Sequence, residues 1–413
     1  MGYPPSLGNR SGGNPISPAR HGAVNGRGLE PPFKESHEAL RVSIRAFVER
    51  ELAPYADQWE DDRWFPNEVF EKLAAEGLLG LKYPGEYGGE GGDYLDDAVL
   101  IEELSGCGSG GVAAGVGAHV NIATPPIFKF GTEEQKQRFL VPAIKGEKIA
   151  ALGITEPGTG SDVAGIRTHA KRVEGGWVVN GSKTFITGGV RADVVVTAVK
   201  TSPEGGHGGL SFLLVEKGME GFTVSKKLEK LGWHASDTAE LAFQDVFVPD
   251  ENLLGEENRG FYLIMANFQW ERIAMALGAV AAMQRLLEQS ISYANEREQF
   301  GRPIGKLQAI RHKIAHMAVK LEASRALTYH SLRLFHDGQD AIREVTMAKL
   351  LSQRAACEVA DDALQIHGGA GYVDAIPGVS SSIQRAVRDL RLGPIGGGTD
   401  EVMREILGRQ MGL

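Results

Sequence analysis

Apolar residues recur at two different periods along this chain, and the change of period divides it. From Ser36 to about Lys148 they fall three and four apart with charges between, the spacing of helices that bury one face. "ESHEALRVSIRAFVERELAPYADQWE" predicts a first helix. "PNEVFEKLAAEGLLGLKYP" predicts a second, closed by Gly80 and Pro84. "DYLDDAVLIEELS" and "TEEQKQRFLVPAIKG" predict two more. Between these last two lies "SGCGSGGVAAGVGAHVNIATPPI", built mostly of small residues, so a helix there packs close to a neighbour or leaves space beside it. Near Glu147 the period shortens. "GWVVNGSKTFITGG", "DVVVTAVKT", "GLSFLLVEKG", "GFTVSKKL" and "ELAFQDVFVP" are short, β-rich and separated by Gly, Asn or Asp. Residues 150–250 therefore predict a small all-β domain, a barrel or sandwich, with "SPEGGHGG" (202–209) as a loop between strands. From Gly260 the helical period returns in three long stretches beginning "FYLIMANFQWERIAMALG", "LQAIRHKIAHMAVKLEASR" and "EVTMAKLLSQRAACEVADD". No internal repeat interrupts the order of helices, strands and helices.

Composition narrows the class. At 413 residues the chain can hold two or three domains, and 42% apolar with 23% charged residues is ordinary for a soluble globular protein. A net charge of −9 without a basic block argues against a nucleic-acid surface. Two cysteines, Cys107 and Cys357, make neither a disulfide framework nor a metal cluster, and both are expected as buried free thiols in a reducing, cytoplasmic setting. The longest apolar run, 273–283, is too short to span a bilayer. Residues 1–32 are rich in Gly, Pro, Ser and Asn and carry no acid before Glu30. Arg10, Arg20 and Arg27 would suit an organelle transit peptide, but four prolines spoil an amphipathic helix, so a disordered tail is expected.

The chemistry is narrowed first by what is missing. No strand is followed by GxGxxG, and neither a GxSxG elbow nor a Walker loop occurs. His312 and His316 stand four apart but have no acidic or Cys partner, which reads as surface rather than metal. "GITEPGTGSDVAG" (153–165) offers backbone N–H groups and hydroxyls without bulk, which suits a phosphate or a flat ring; an ordinary turn is the other reading. In "KTFITGG", Phe185 and Thr187 point to the same side of a strand. Glu271 lies at the start of a stretch apolar all round, so its carboxylate is expected to be poorly solvated and its pKa raised toward that of a general base. A buried structural ion pair with a distant Arg or Lys is the alternative. Finally, "PIGGGTDEV" (394–402) places three glycines before a helix that Thr399 can cap, more bare backbone than a cap requires.

Taken together, "ITEPGTGSD", "NGSKTFITGG", "EREQFGRPIGKLQ", "LQIHGGAGY" and "GGGTDEV" resemble the motifs of the acyl-CoA dehydrogenase family, in order and at nearly its spacing, from about residue 37 to the end. The resemblance implies an α+β fold with an N-terminal α-helical domain (33–149), a middle small β-barrel (150–255) and a C-terminal four-helix bundle (256–413). It implies FAD as cofactor and α,β-dehydrogenation of an acyl-CoA thioester as the reaction. An electron-transferring flavoprotein is the implied acceptor, and a homotetramer, a dimer of dimers, the implied assembly.

The resemblance also assigns residues. Leu152, Ile154, Thr155, Gly160 and Ser161 match the flavin-lining loop, with Ser161 near the phosphates or the substrate. Phe185, Ile186 and Thr187 match residues packed on the flavin or facing its N5. Arg297, Phe300 and Gln308 match residues that reach the neighbouring subunit's FAD; Gln365, Gly368 and Gly369 match a second FAD-contacting loop; Thr399 and Glu401 match the final contacts. Many members carry the catalytic Glu at the position of Gly397. The isovaleryl and long-chain branch carries it on the long helix, where this chain has Glu271. Gly397, with Gly398, then serves the substrate through backbone, its N–H an oxyanion-hole donor. Tyr262 and Arg272 match positions on the substrate side. One departure is about five extra residues around "AIPGVSSS" (375–382), which could reshape a subunit contact or the cofactor entrance. The base position and the small residues Gly110–Ala118 point to branched or medium to long acyl chains. The competing expectations are an acyl-carrier-protein dehydrogenase or flavin oxidase, and a non-enzymatic acyl-thioester-binding protein.

Overall fold

The computed structural model describes residues 32–202, 206–374 and 382–413. Residues 1–31 of the expected tail, 203–205 of the 202–209 loop and 375–381 of the extra stretch lie outside the described residues. The N-terminal part is helical. Helix α1 (Glu35–Glu51) stops short of Pro54, which sits in a tighter turn, and the chain resumes as α2 (Ala56–Asp61). Helix α3 (Glu68–Ala75) also ends before the expected Gly80, because Gly77 takes φ +74° and turns the chain first. Helix α4 (Tyr94–Leu104) leads to the small-residue helix α5 (Gly110–Gly117), which widens by a turn and continues as α6 (Thr124–Phe130). Two short segments, α7 (Glu133–Gln135) and α8 (Val141–Ile144), complete this part.

The middle strands are β1 (Ala150–Gly153), β2 (His169–Val173), β3 (Gly176–Thr187), β4 (Val194–Lys200), β5 (Leu210–Glu216), β6 (Phe222–Lys227), β7 (Thr238–Pro249) and β8 (Leu253–Leu254). They form one sheet in the order β6-β7-β3-β2-β4-β5-β8, with β1 beside β4. The end strands β6 and β8 are not hydrogen-bonded to each other, so the expected barrel is left open. Only one residue pair, His169 with Lys200, joins β2 to β4. The two halves fold onto each other there and bury Trp177, Val179, Val195, Leu213 and Phe243 between them. The other face of β4 and β5 meets helices through Val196, Phe212 and Leu214 against Ile127, Phe139 and Ile264. Burial on both faces explains why "DVVVTAVK" is apolar without alternation.

Three long helices, α9 (Gly260–Glu296), α10 (Gln308–His336) and α11 (Ile342–His367), form the C-terminal part. A single turn, α12 (Gly369–Tyr372), follows, then α13 (Ser382–Leu390) and α14 (Asp400–Gln410), both packed on α11. The expected four-helix bundle is thus three long helices with α13 and α14 in the place of a fourth. Helix α9 touches α4, α10, α11 and β5, which accounts for its apolar surface on every side. Cys107 is buried, but Cys357 is only half-buried, contrary to expectation. Its place on α11 near the surface and its contact with the Leu390 carbonyl leave one side open. His312 and His316 are exposed. Among the described residues, no helix is long and apolar enough to cross a membrane.

Candidate active site

The small-residue helix leaves space. A cavity of about 260 Å³ runs between α5 and α9, walled by Ala113, Ala114 and Gly117 on one side and Ala274, Gly278 and Ala282 on the other. Glu271 stands at one end of the α9 wall, and Arg285 and Gln289 at the other. These are 14 and 18 residues on, so at 1.5 Å per residue the wall extends ~21 to ~27 Å from the carboxylate's turn.

Glu271 is 7% exposed. Burial pushes its carboxyl up to about 7, although Asn267 favours the ionised form. Asn267 Nδ2 donates to Glu271 Oε1 at 2.6 Å and to the Ile122 carbonyl at 3.1 Å, so the amide ties the carboxylate to the widened turn between α5 and α6. Arg272 turns away, its Nε donating to the Gly397 carbonyl at 3.2 Å. Among the described residues no Lys or Arg pairs with Glu271, which removes the structural ion-pair reading. The role of Asn267 was not recognised from sequence; its i, i+4 spacing from Glu271 was the available signal.

The 394–402 segment wraps over the same end. Lys349 Nζ donates to the Gly398 carbonyl at 2.6 Å, Arg354 pairs with Asp400, and Thr399 caps α14 by accepting from the Val402 N–H. Gly397 and Gly398 take φ +63° and +94°. A Cβ on Gly397 would lie 2.5 Å from Met275 Sδ, and one on Gly398 would lie 2.6 Å from Met403 Cε. The positive φ favours glycine at both positions, and a side chain there would also have to displace Met275 or Met403. Arg272 therefore supports this loop rather than lining the cavity. Among the described residues, the Gly397 N–H has no hydrogen-bond acceptor. It stands free one residue contact away from the turn of α9 that carries Glu271 and Met275.

The 153–165 loop is fastened by its acid. Glu156 accepts from the N–H groups of Arg167 (2.6 Å) and Thr168 (2.9 Å) and from Lys183 Nζ (2.8 Å). Lys183 also donates to the Ile154 carbonyl, and burial pushes its ammonium down to about 8. Neither partner was singled out from sequence. This anchor leaves Thr155 half-exposed and Gly160 and Ser161 exposed. Leu152 is half-buried, but Ile154 and Ile186 turn their side chains inward, so they can offer a ligand backbone only. The pairing of β3 with β7 shifts register between Lys183 and Ile186. There Phe185 adopts φ +61° and stands 68% exposed, a conformation bulky residues seldom take. Thr187 lines the cavity, while Phe185 does not.

The remaining residues gather elsewhere. Arg297 ends α9, Gln308 begins α10, and Gln365, Gly368 and Gly369 end α11, so the antiparallel helices bring them to one end of the bundle. Tyr293 stacks on His367 there, with ring centroids 4.3 Å apart. Phe300, with φ +54°, is 88% exposed. Arg297 lies 26 residues beyond Glu271, ~39 Å along the helix, so this group and the base do not form one site within the chain. Thr399 is half-buried as a helix cap and Glu401 is exposed. Tyr262 is exposed, packed under the Arg259 guanidinium at 4.4 Å, and does not line the cavity, contrary to a simple substrate-side placement. It sits nine residues before Glu271, half a turn round the helix.

Comparison with known proteins identifies the fold and the family. Residues 34–147, 151–246 and 258–412 match, in that order, the families described as the N-terminal, middle and C-terminal domains of acyl-CoA dehydrogenase. An isovaleryl-CoA dehydrogenase from Solanum tuberosum is 38% identical, over 92% of this chain and 91% of its own. A long-chain specific acyl-CoA dehydrogenase from Rattus norvegicus is 38% identical, over 93% of this chain and 88% of its own. The crystal structure of a probable acyl-CoA dehydrogenase from Mycobacterium abscessus superposes with a TM-score of 0.88 at 44% identity, covering 92% of this chain and 99% of that one.

Proposed function

This chain belongs to the acyl-CoA dehydrogenase family of oxidoreductases, and from that premise we propose that it converts an acyl-CoA thioester to the trans-2-enoyl thioester with Glu271 as base. The observation that carries the reading is a buried carboxyl in the wall of an apolar cavity, pushed by burial up to about 7, one helical turn from the Met275 against which Gly397 packs; among the described residues the Gly397 N–H has no acceptor. With the thioester oxygen on that N–H, charge developing on the oxygen is stabilised and the α-proton becomes more acidic. Glu271, ionised above about pH 7, takes that proton. Asn267 keeps its carboxylate aimed into the cavity.

The surroundings fit FAD. Phe185 offers an exposed aromatic ring, and Thr187, a hydroxyl residue, lines the cavity. Gly158 and Gly160 leave open space where a side chain would stand, beside the hydroxyls of Thr155 and Ser161. Bound there, the flavin would supply the acceptor for the β-hydride, and an electron-transferring flavoprotein would take the electrons on. The Arg297, Phe300, Gln308, Gln365, Gly368 and Gly369 group, too far from Glu271 to share its cofactor, would serve a neighbouring subunit's FAD in a homotetramer.

Anaerobic titration of the FAD-loaded protein against straight and branched acyl-CoAs tests this reading through flavin bleaching. If no CoA thioester bleaches it, the reading fails, and a carrier-protein thioester becomes the next substrate to try. The depth of the cavity supports medium to long chains. Gly278 lines it about two turns beyond Glu271, and an added Cβ there meets nothing within 4 Å. Gly278→Leu is expected to fold normally and fill the middle of the cavity. Turnover of sixteen-carbon acyl-CoA should fall by about 10- to 100-fold relative to butyryl-CoA. Equal losses on both chains would show that the chain does not run past Gly278.

Asn267 gives a pH test. Its amide hydrogen bond lowers the Glu271 pKa, so Asn267→Ala should raise it further. The acid limb of kcat/KM should move to higher pH by about one unit, the scale of a hydrogen bond to a charged group. An unmoved limb with a lower plateau would make Asn267 merely structural.

A further inference from the structure

The cavity does not end as a purely apolar tube would. Its far wall carries Arg285 and Gln289, one turn apart on the face of α9 that also presents Glu271, with Ser382 of α13 beside them. Arg285 Nη1 donates to the carbonyls of Ser105 (3.1 Å) and Gly106 (2.6 Å), at the end of α4. Its Nη2 and Nε have no acceptor among the described residues, and no carboxylate there lies within ion-pair distance. Asp57 and Glu288 act on it only from further away, and Arg385 opposes it. Arg385 is different: it pairs with Asp57 at 2.6 Å and lies 3.9 Å from Glu60.

Gln289 completes the contrast. Its Nε2 donates to Ser382 Oγ at 3.2 Å, while its buried Oε1 accepts nothing. Asp389 also lines the cavity, but its oxygens already accept from the N–H groups of Trp233 (2.6 Å) and Gly110 (3.1 Å). The far end therefore holds free donors on Arg285 and a free acceptor on Gln289, with side chains an i, i+4 step apart and able to reach a common atom. A methyl group placed there would leave the buried Gln289 oxygen unpaired, which is costly, and would offer the half-buried Arg285 nothing. A carboxylate would satisfy Arg285 but oppose the Gln289 oxygen. A hydroxyl both donates and accepts, and answers the two at once.

Resting on the reading of this cavity as the acyl site, we propose that the chain is built for long acyl thioesters whose far end carries a hydroxyl group, held by Arg285 and Gln289. The ~21 Å between the turns of Glu271 and Arg285, at roughly 1.2 Å per bond of extended chain, sets the length at about seventeen bonds, within a side chain's reach of a sixteen-carbon acyl group. Shorter chains end among Ala274 and Gly278, short of both Arg285 and Gln289.

The test is calorimetric binding to the FAD-loaded Glu271→Gln protein, which binds without turnover. The ligands are eight- and sixteen-carbon acyl-CoAs, each with a methyl, an ω-hydroxyl or an ω-carboxylate end. The ω-hydroxyl is expected to tighten binding of the sixteen-carbon chain by about tenfold over methyl, and to weaken that of the eight-carbon chain. Adding Gln289→Leu should erase the sixteen-carbon preference, with melting temperature as the check on folding; Arg285 is spared because it also ties down the end of α4. A methyl or carboxylate preference at sixteen carbons, or a hydroxyl preference that ignores length or survives Gln289→Leu, overturns the proposal and leaves the dehydrogenase reading intact. Failure to bind any acyl-CoA overturns both.

Discussion

Glu271→Gln is expected to lower kcat/KM by about 10³- to 10⁴-fold, the scale of a lost general base, while acyl-CoA affinity changes by less than about threefold. The amide keeps the shape of the carboxylate and the contact with Asn267, but it cannot take a proton. The same variant should gain stability at alkaline pH. In the unfolded chain Glu271 loses its proton near the ordinary value of 4.5, whereas in the fold it keeps it until about 7. Between those values the folded state binds more protons, so stability falls as pH rises through the window. Ionising this buried group costs about 3 kcal/mol by pH 8, a cost the glutamine does not carry. Thermal melting of both proteins at pH 5 and pH 8 measures it, and single-turnover flavin bleaching measures the chemistry. A variant that still bleaches near the wild-type rate would place the base elsewhere.

How much of this was legible in the sequence depends on the range of the contact responsible. Period alone located α9, α10 and α11, because a helix repeats its environment every few residues. It also located β4, although "DVVVTAVK" does not alternate, through β-branched residues and its bounding turns. Local breaks were read less well. Pro54 divided the first helix and Gly77 ended α3 early, since a single residue's φ decides such stops against an otherwise continuous pattern. Glu271 was legible because its neighbours in sequence are also its neighbours in space. The contacts that complete the site are not of that kind. Arg272 reaches Gly397 across 125 residues, Lys349 reaches Gly398 across 49, and Lys183 reaches Glu156 across 27. No periodicity records such pairs. The open end of the sheet and the half-exposure of Cys357 depend in the same way on how elements meet.

Gly397→Glu is expected to lower kcat/KM by about 10²- to 10³-fold, although it installs a carboxylate at the second position where the family resemblance would place one. Three costs combine. A non-glycine residue at φ +63° is strained by about 1–3 kcal/mol. The new Cβ would sit 2.5 Å from Met275 Sδ, so loop or side chain must shift. A shift of the loop moves the Gly397 N–H, and the loss of an oxyanion donor alone is worth about that factor; a shift of Met275 instead pushes its side chain toward the turn that carries Glu271. The parts can be separated. Met275→Ala added to Gly397→Ala removes the steric cost and leaves the backbone strain, so activity should recover about tenfold over Gly397→Ala alone without reaching wild type. The decisive protein is Glu271→Gln with Gly397→Glu. Met275, one turn beyond Glu271 on α9, occupies the space a side chain from position 397 would need. This double variant should therefore remain as inactive as Glu271→Gln. Activity within tenfold of wild type would mean that the two positions are interchangeable here, and that Met275 does not reserve the site for a carboxylate arriving from the helix.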